Sequence, residues 1–478
     1  MRKRTKIIAT IGPSTSSSRI ISTLIKEGTD VFRINLSHTT IEDTSNLINL
    51  LKQTSKKLKR PVATMVDLQG QKIRIMSFRS KKFVNLRAGD DFVLDTSLKP
   101  DSGTQKTVGL TNKSIIRHLD VGDELLLSDA LIKLEVKDIS NGKIFCRILR
   151  GGKLKPYQGI NKKGGGITMQ GITAKDKKDL KSLMSLDIDY IAVSFVKNDS
   201  DIREVKKIVG KKPLGIIAKI ERSEALENID AIAKISDGLL VARGDLGVEI
   251  GIEQLPAVQE MLVSKAISYN KIVIVATQMM ESMIHSRVPT RAEVFDVANA
   301  VTSGVDAIML SAETAIGKYP VDVIQEACRI CEIAEKTNRK TKKITQKNDS
   351  FISVDQTIAM SAVYAAGKSN IKAIAALTET GSTPLWMSRI QSTIPIYAMT
   401  KNDRTSRRIC LLKGVYSIKL EQIEYIHAKA NQQVIDLMLE KGAVKKGDFV
   451  IITKGDLMGT SGGTNALKIV EVGNLIEV

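Results

Sequence analysis

Long hydrophobic runs are missing from this chain. No apolar stretch approaches the ~20 residues that cross a bilayer as a helix, which excludes a protein built on membrane-spanning helices. The N-terminal MRKRTKIIATIGPSTSS is basic and then apolar, but its run IIATI is too short for a secretory signal. A cytoplasmic protein is expected. Cysteine is scarce, with four spread over 478 residues, so no disulfide framework is implied. Two of them, Cys328 and Cys331, form a C-x-x-C within EACRICEIAEK. That spacing puts both thiols on one helix face, and buried structural thiols are expected, because a redox pair favours a helix N-terminus. Aromatics are only 4% of the chain, too few to build stacking platforms for nucleic acid. Acidic residues are outnumbered, 52 against 72 basic, for a net charge of +20. The basic residues are dispersed, which reads as solvated surface and not as a nucleic-acid stripe; anionic small substrates would also be drawn by such a field.

What is present is a rhythm. At 478 residues and 42% hydrophobic content, the chain exceeds one ordinary core, so two or three domains are expected. Eight short apolar runs begin near Lys6, Asp30, Val62, Asp189, Leu214, Gly238, Lys271 and Val305. Helix-patterned segments such as SRIISTLIKEG, TIEDTSNLINLLKQTSKKL and RAEVFDVANAVTSG lie between most of them. Strands alternating with helices in this number predict a (β/α)8 TIM-type barrel, with the active site where the strands end. The polar strand endings are Arg33 with Asn35 and Ser37, Asp67, Ser194, Lys219 with Glu221, Arg243 with Asp245, Thr277, and Ser311 with Glu313. One polar strand end is usually a cap or a turn; seven sets converging on one mouth are a site.

One interval breaks the rhythm. Between Asp67 and Lys175 the pattern alternates, and Asn141-Gly142 between two alternating runs is a hairpin signal. An inserted all-β domain is expected there, placed to act as a lid that excludes water. Gly164–Gly166 reads as a linker or hinge, since it lacks phosphate-loop spacing. After the eighth run, NRKTKKITQKND reads as a linker to a C-terminal α/β domain. The expected bounds are 1–70 and 168–345 for the barrel, 71–167 for the lid and 346–478 for the last domain.

Two carboxylates, Glu221 and Asp245, end adjacent strands of a βαβ unit spanning Ile216 to Glu249. Hard oxygen ligands there suit Mg²⁺, which keeps sites open for water and substrate phosphate. Lys219 beside them would meet the charge of a phosphate. The plain alternative is a salt-bridge cluster at the strand ends. In the last domain, Thr378 to Thr383 reads TETGST and follows a strand, so hydroxyls and helix N–H groups there suit a phosphate. Gly459 to Thr464 would close over it; the plain alternative is two turns.

TKIIATIGP, VFRINLSH, VDLQGQKIRI, AKIERSE, VARGDLGVE, ATQMMESMI, PTRAEVFDVANAV and MLSAETAIGKYP resemble the pyruvate kinase family along the whole chain. DLQGQKIR, MMESM and GDLMGTSGGTN are more similar to its bacterial type activated by AMP or a sugar monophosphate. The resemblance implies phosphoryl transfer from phosphoenolpyruvate to ADP, with Mg²⁺ or Mn²⁺ on Glu221 and Asp245. It implies that Lys219 neutralises the phosphoryl in flight, Arg33 holds the phosphoryl group and backbone near Gly244 and Asp245 binds the substrate carboxylate. Thr277 would relay a proton from water, with Ser311 and Glu313 behind it. Asn35, Ser37 and Asp67 match a monovalent-cation site; His38 and Arg74 fall on the nucleotide side. Thr378, Thr380, Ser382, Thr383 and Lys454 would hold a phosphorylated activator, and Asp456 would favour a monophosphate. A homotetramer is expected.

Departures from the family pattern are Ser128-Asp129-Ala130 in place of Asp-Asp-Gly, Gln71 for a hinge proline, and Asn198 for a lysine near the nucleotide. Lys72 replaces a glutamate, and Leu68 removes a hydroxyl near the cation. Placed near Asp67, the Lys72 ammonium would supply the charge of K⁺ and repel the ion, so K⁺ is expected not to be required. The rival readings are another barrel enzyme using phosphoenolpyruvate, which would lack the β insertion, and a charge-driven nucleic-acid binder, whose affinity would fall steeply with salt.

Overall fold

The computed structural model describes residues 3–79, 82–167, 171–337, 353–390, 392–422, 427–456 and 462–474. Every one of the eight apolar runs is a strand. Lys6–Thr10, Val31–Asn35, Ala63–Asp67, Tyr190–Val193, Gly215–Ile220, Gly238–Ala242, Ile272–Ala276 and Ala307–Leu310 close a parallel barrel, here called strands one to eight. Both faces of these strands are buried, which explains why they read as continuous apolar runs. Ile8, Met65, Ile217, Leu240, Ile274 and Met309 belong to one core cluster, and Ile7, Phe32, Val66, Ile191, Val241 and Val275 to another that includes the surrounding helices.

Several helices start where side chains cap them. Thr40 caps Ile41–Lys57, and Thr173, Asn198 and Thr290 form capping boxes at Ala174–Leu183, Asp199–Val209 and Arg291–Ser303. Between strands five and six the single helical pattern splits into Ser223–Glu227 and Ile229–Ile235. Asn228 stands at the break, and its side-chain amide donates to the Glu224 carbonyl at 3.0 Å, competing with the helix ladder.

The interval between strands three and four folds as β structure. A six-stranded sheet runs in the order Ile160–Lys162, Glu124–Leu127, Ile132–Ser140, Lys143–Arg150, Asp91–Asp95, Thr107–Gly109. Asn141 and Gly142, at φ 50° and 75°, make the two-residue hairpin between Ser140 and Lys143. One 3₁₀ turn, Lys113–His118, interrupts the alternation. Ser128, Asp129 and Ala130 all have positive φ, at 53°, 53° and 65°, so Ala130 occupies a conformation suited to glycine.

The C-terminal sheet has the order Val415–Lys419, Ile396–Thr400, Ile371–Leu377, Phe449–Lys454, Ala466–Glu471, parallel except for the last pair. The basic segment NRKTKKITQKND lies outside the described residues. Cys328 and Cys331 sit within the helix Pro320–Thr337, and all four cysteines are free. Burial pushes the Cys328 thiol up to about 11 and Cys331 higher still, as suits inert packing groups. Among the described residues no helix is long and apolar enough to cross a membrane.

Candidate active site

Register brings the polar strand ends together. Asn35 pairs with Asp67 across strands two and three, and Asp67 with Ala192 across three and four. Six side chains at the strand ends, Thr10, Arg33, Asp67, Ser194, Lys219 and Glu221, form one bonded cluster. Arg33 donates through Nε to Asp67 Oδ2 at 2.8 Å and through a terminal nitrogen at 2.6 Å. Its other terminal nitrogen donates to Thr10 Oγ1 at 3.1 Å. Lys219 Nζ reaches Ser194 Oγ at 2.7 Å, Glu221 Oε1 at 3.0 Å and Asp67 Oδ1 at 3.2 Å. Asp67 is 1% exposed, Glu221 3%, and Arg33 and Lys219 8% each. Four charges with almost no water are affordable only because each has an opposite partner.

Electrostatics sharpen the point. Burial works to lift the Asp67 carboxyl, but Lys219 and Arg33 outweigh it and hold it below the usual carboxylate range. For Lys219, burial works downward and Asp67 and Glu221 raise it above the usual lysine value, so the group stays an ammonium. Glu221 goes the other way. Burial lifts its carboxyl, Lys219 opposes this, and the Asp245 and Asp67 carboxylates add to the rise. Among the described residues its one backbone donor is Phe195 N, at 2.7 Å from Oε2.

A second knot holds Thr277. Its backbone lies at φ +69° and that of Gln278 at +52°, a strained region for a β-branched residue. The Arg243 guanidinium donates to the Thr277 carbonyl at 2.7 Å and to the Gln278 carbonyl at 3.1 Å, and pairs with Asp296 at 2.6 Å. The Thr277 hydroxyl accepts from Gly244 N at 2.8 Å and donates to the Ala276 carbonyl at 2.6 Å. The Gly244 N–H expected to cradle a carboxylate is therefore engaged with Thr277. Glu313 accepts backbone N–H groups of Ser311 at 2.7 Å and Met280 at 3.2 Å. It clamps the backbone after strands seven and eight and makes no direct bond to Thr277.

Lys72 also departs from expectation. Its ammonium pairs with Asp245, not Asp67. The physical reason is that Arg33, Lys219 and Ser194 already take both oxygens of Asp67. Asn35 accepts from Ser37 N at 3.0 Å, which shapes the turn after strand two. His38 is exposed, and capping of the next helix falls to Thr40. Arg74 lies at the joint of the inserted sheet and donates to the Tyr157 carbonyl at 2.9 Å. Asn198 is a helix cap. At the return joint Gly164, Gly165 and Gly166 have φ of 82°, 79° and 85°. Gly164 N donates to the Glu249 carbonyl at 2.9 Å, and Ser223 N to the Glu249 carboxylate at 2.9 Å.

Thr10, Arg243 and Glu249 brace the site and its joint, and no role was read for them from the sequence. Thr10 ends strand one and falls under the same strand-end rule; Arg243 was visible as a charge at the end of strand six. Nothing local marks Glu249.

The C-terminal residues form a separate place. Thr378 Oγ1 accepts from Gly381 N at 2.9 Å, and Thr380 Oγ1 lies 3.1 Å from Ser382 Oγ. Thr383 Oγ1 meets Thr464 Oγ1 at 2.9 Å. Lys454 donates to Asn431 Oδ1 at 2.8 Å. Gly459, Thr460 and Ser461 lie outside the described residues.

Among the described residues no group of three or more His, Cys, Asp or Glu is arranged to hold a metal. Glu221 and Asp245 fit the smaller demand of Mg²⁺, which takes one or two carboxylates and completes its shell with water and substrate oxygens. The rise of Glu221 beside Asp245 is the crowding that a cation would relieve.

A family model described as the pyruvate kinase barrel domain matches residues 2–324, and one described as the pyruvate kinase alpha/beta domain matches 356–470. A pyruvate kinase of Buchnera aphidicola subsp. Baizongia pistaciae is 44% identical over 98% of this chain and 99% of its own length. Pyruvate kinase II of Salmonella typhimurium is 40% identical with the same coverage. The pyruvate kinase of Geobacillus stearothermophilus is 36% identical over the whole of this chain and 81% of its own length.

Proposed function

The chain belongs to the pyruvate kinase family, and we propose that it moves the phosphoryl group of phosphoenolpyruvate to ADP at the Lys219 cluster, without K⁺ and under a phosphorylated activator. The observation that carries this reading is Lys219 held between Asp67 and Glu221 beside Arg33, all buried at one mouth. Preorganised charge of this kind supplies most of the rate in phosphoryl transfer. Arg33, aligned by Asp67 and Thr10, holds the phosphoryl group. Lys219 matches the charge on the phosphoryl in flight and then on the enolate oxygen. Thr277 passes a proton from water to the enolate; its strained backbone, pinned by Arg243, keeps the hydroxyl in place. Glu221 and Asp245 would hold Mg²⁺, which supplies positive charge to the substrate's carboxylate and phosphate oxygens. His38 and Arg74 face the nucleotide, and the inserted sheet closes as a lid on its glycine joint.

Lys72 replaces K⁺ in this reading: one flexible ammonium at the joint, in place of an ion near Asn35, Ser37 and Asp67. The activator, AMP or a sugar monophosphate, binds where Thr378, Thr380, Ser382, Thr383 and Lys454 meet. Strand order supports that choice. Ile371–Leu377 is followed in sequence by its neighbour on one side, while Phe449–Lys454 flanks it on the other. Such a reversal of strand order opens a ligand crevice at the strand ends. A cytoplasmic homotetramer completes the reading; exposed Phe295 and Tyr364, 79% and 56% accessible, are apolar surface for its contacts.

The test is a coupled assay of pyruvate formation in tetraalkylammonium buffer, with and without KCl at constant ionic strength, and with and without AMP or sugar monophosphates. Activity without K⁺ is expected, and a gain of about ten-fold or more on adding it (~1.4 kcal/mol) refutes K⁺ independence. No response to any phosphorylated activator refutes the control site.

A further inference from the structure

Lys72 sits at the outgoing joint of the inserted sheet, two residues before Arg74, whose backbone bridges Gly159 on the returning chain. Gly159 packs on the lysine stem so closely that a Cβ there would stand 2.4 Å from Lys72 Cε. The stem is thereby directed across the mouth, and the ammonium pairs with Asp245 Oδ1. Lys72 and Asp245 are each 22% exposed at the side chain, so this pair is reachable by solvent. Lys219 differs: its ammonium is anchored by Ser194 and Asp67 as well as Glu221 and has a place whatever happens at Asp245. Among the described residues Lys72 has one carboxylate partner, and that carboxylate is one of the two that a divalent cation would use.

We infer that Lys72 is a tethered competitor of the divalent cation: ammonium and metal are alternative partners of Asp245, and metal binding drives Lys72 off it. The inference rests on the reading of Asp245 as a metal ligand. A +1 and a +2 charge cannot share one carboxylate oxygen at contact distance without strong repulsion. Displacement then does two things. It lowers the affinity of the protein for the metal, and it releases a positive charge carried by the lid joint toward the substrate side, where a monovalent cation would otherwise act. Metal loading and the position of the inserted sheet are thus linked through one side chain.

The experiment is a titration of the full-length protein with Mn²⁺ alone, reading free Mn²⁺ by electron paramagnetic resonance without nucleotide or substrate. Lys72→Met is expected to bind Mn²⁺ about five-fold more tightly than wild type or better, the order expected from removing a partly exposed ion pair. Lys72→Arg, which keeps the charge, is expected to stay near wild type. Gly159→Ala disturbs the lysine stem and leaves residue 72 in place; it is expected to tighten binding by a smaller factor, and it serves as well if Lys72→Met does not fold. Equal or weaker Mn²⁺ binding in Lys72→Met, or in Gly159→Ala where that variant stands in, overturns the inference. Asp245→Asn separates the two claims. Loss of Mn²⁺ binding in Asp245→Asn, with Lys72→Met at the wild-type value, sinks the competition alone; full Mn²⁺ binding in Asp245→Asn sinks the metal site and the inference with it.

Discussion

At the N-terminal end of the barrel, Asp30, Asp189, Asp237 and Asp306 each stand just before an even-numbered strand. Each accepts the backbone N–H of the second residue of the preceding odd strand: Ile7 at 3.0 Å, Thr64 at 2.9 Å, Ile216 at 2.7 Å and Val273 at 3.0 Å. The repeat follows from the alternation of layers around such a barrel. Arg407 pairs with Asp189 at 2.9 Å, and Arg389 grips both oxygens of Asp306; both arginines come from the C-terminal domain. At the other end the carboxylates of Asp67 and Glu221 face lysine and arginine side chains, with one backbone donor between them among the described residues, and Thr277, Gln278 and Phe195 are left-handed. Both ends hold buried ion pairs, but at one end every aspartate also takes a strand N–H, while the other end is crowded and strained. A saturated pair holds layers together; a crowded one is ready for a charged ligand.

Substitutions at the two ends should therefore fail in different ways. The largest effect is expected at the mouth. Lys219→Met should lose ~10³-fold or more in turnover, about 4 kcal/mol of transition-state stabilisation. Near-normal single-turnover rates would erase the contrast. At the opposite end, Arg389→Met leaves Asp306 without its guanidinium and should cost ~3–5 kcal/mol in urea unfolding, while the folded fraction keeps its KM. If KM shifts and stability does not, the assignment of the two ends is reversed.

A third effect belongs to the hinge. Burial, with Glu224 adding to it, pushes the Glu249 carboxyl up to about 7 against the pull of Ser223 and Arg222. A raised carboxylic acid stabilises the fold most below its unfolded value of about 4.5, and that stability is lost as pH rises to about 7. Glu249→Gln should remove this slope and gain ~2 kcal/mol at pH 8, a figure reduced for the partial exposure of the group. Parallel stability curves for the two proteins between pH 5 and 8 would show that the group is not shifted. The smallest change is expected far from both ends. Ala130→Gly relieves a positive φ and should stabilise the inserted sheet by ~1 kcal/mol, read as slower hydrogen exchange in strands Glu124–Leu127 and Ile132–Ser140 with turnover unchanged.

The sequence by itself determined the strands, because a strand buried on both faces must be apolar throughout and eight such runs leave little choice of architecture. It also determined the Asn141-Gly142 hairpin, whose two positive φ values few other residues accept, and most of the Lys219 cluster, Thr10 excepted, since its members sit at strand ends. Only the tertiary structure decided the partners. Lys72 was legible as an unusual charge, but whether it met Asp67 or Asp245 depended on how Arg33 and Lys219, far away in the chain, had already filled Asp67. The gripping of Asp306 by Arg389, 83 residues on, and the pinning of Thr277 by Arg243 are of the same kind. Hydrophobic periodicity is a local property and survives in the one-dimensional pattern. The choice of an ion-pair partner is made by short-range contact between segments brought together by folding, and no local pattern carries it.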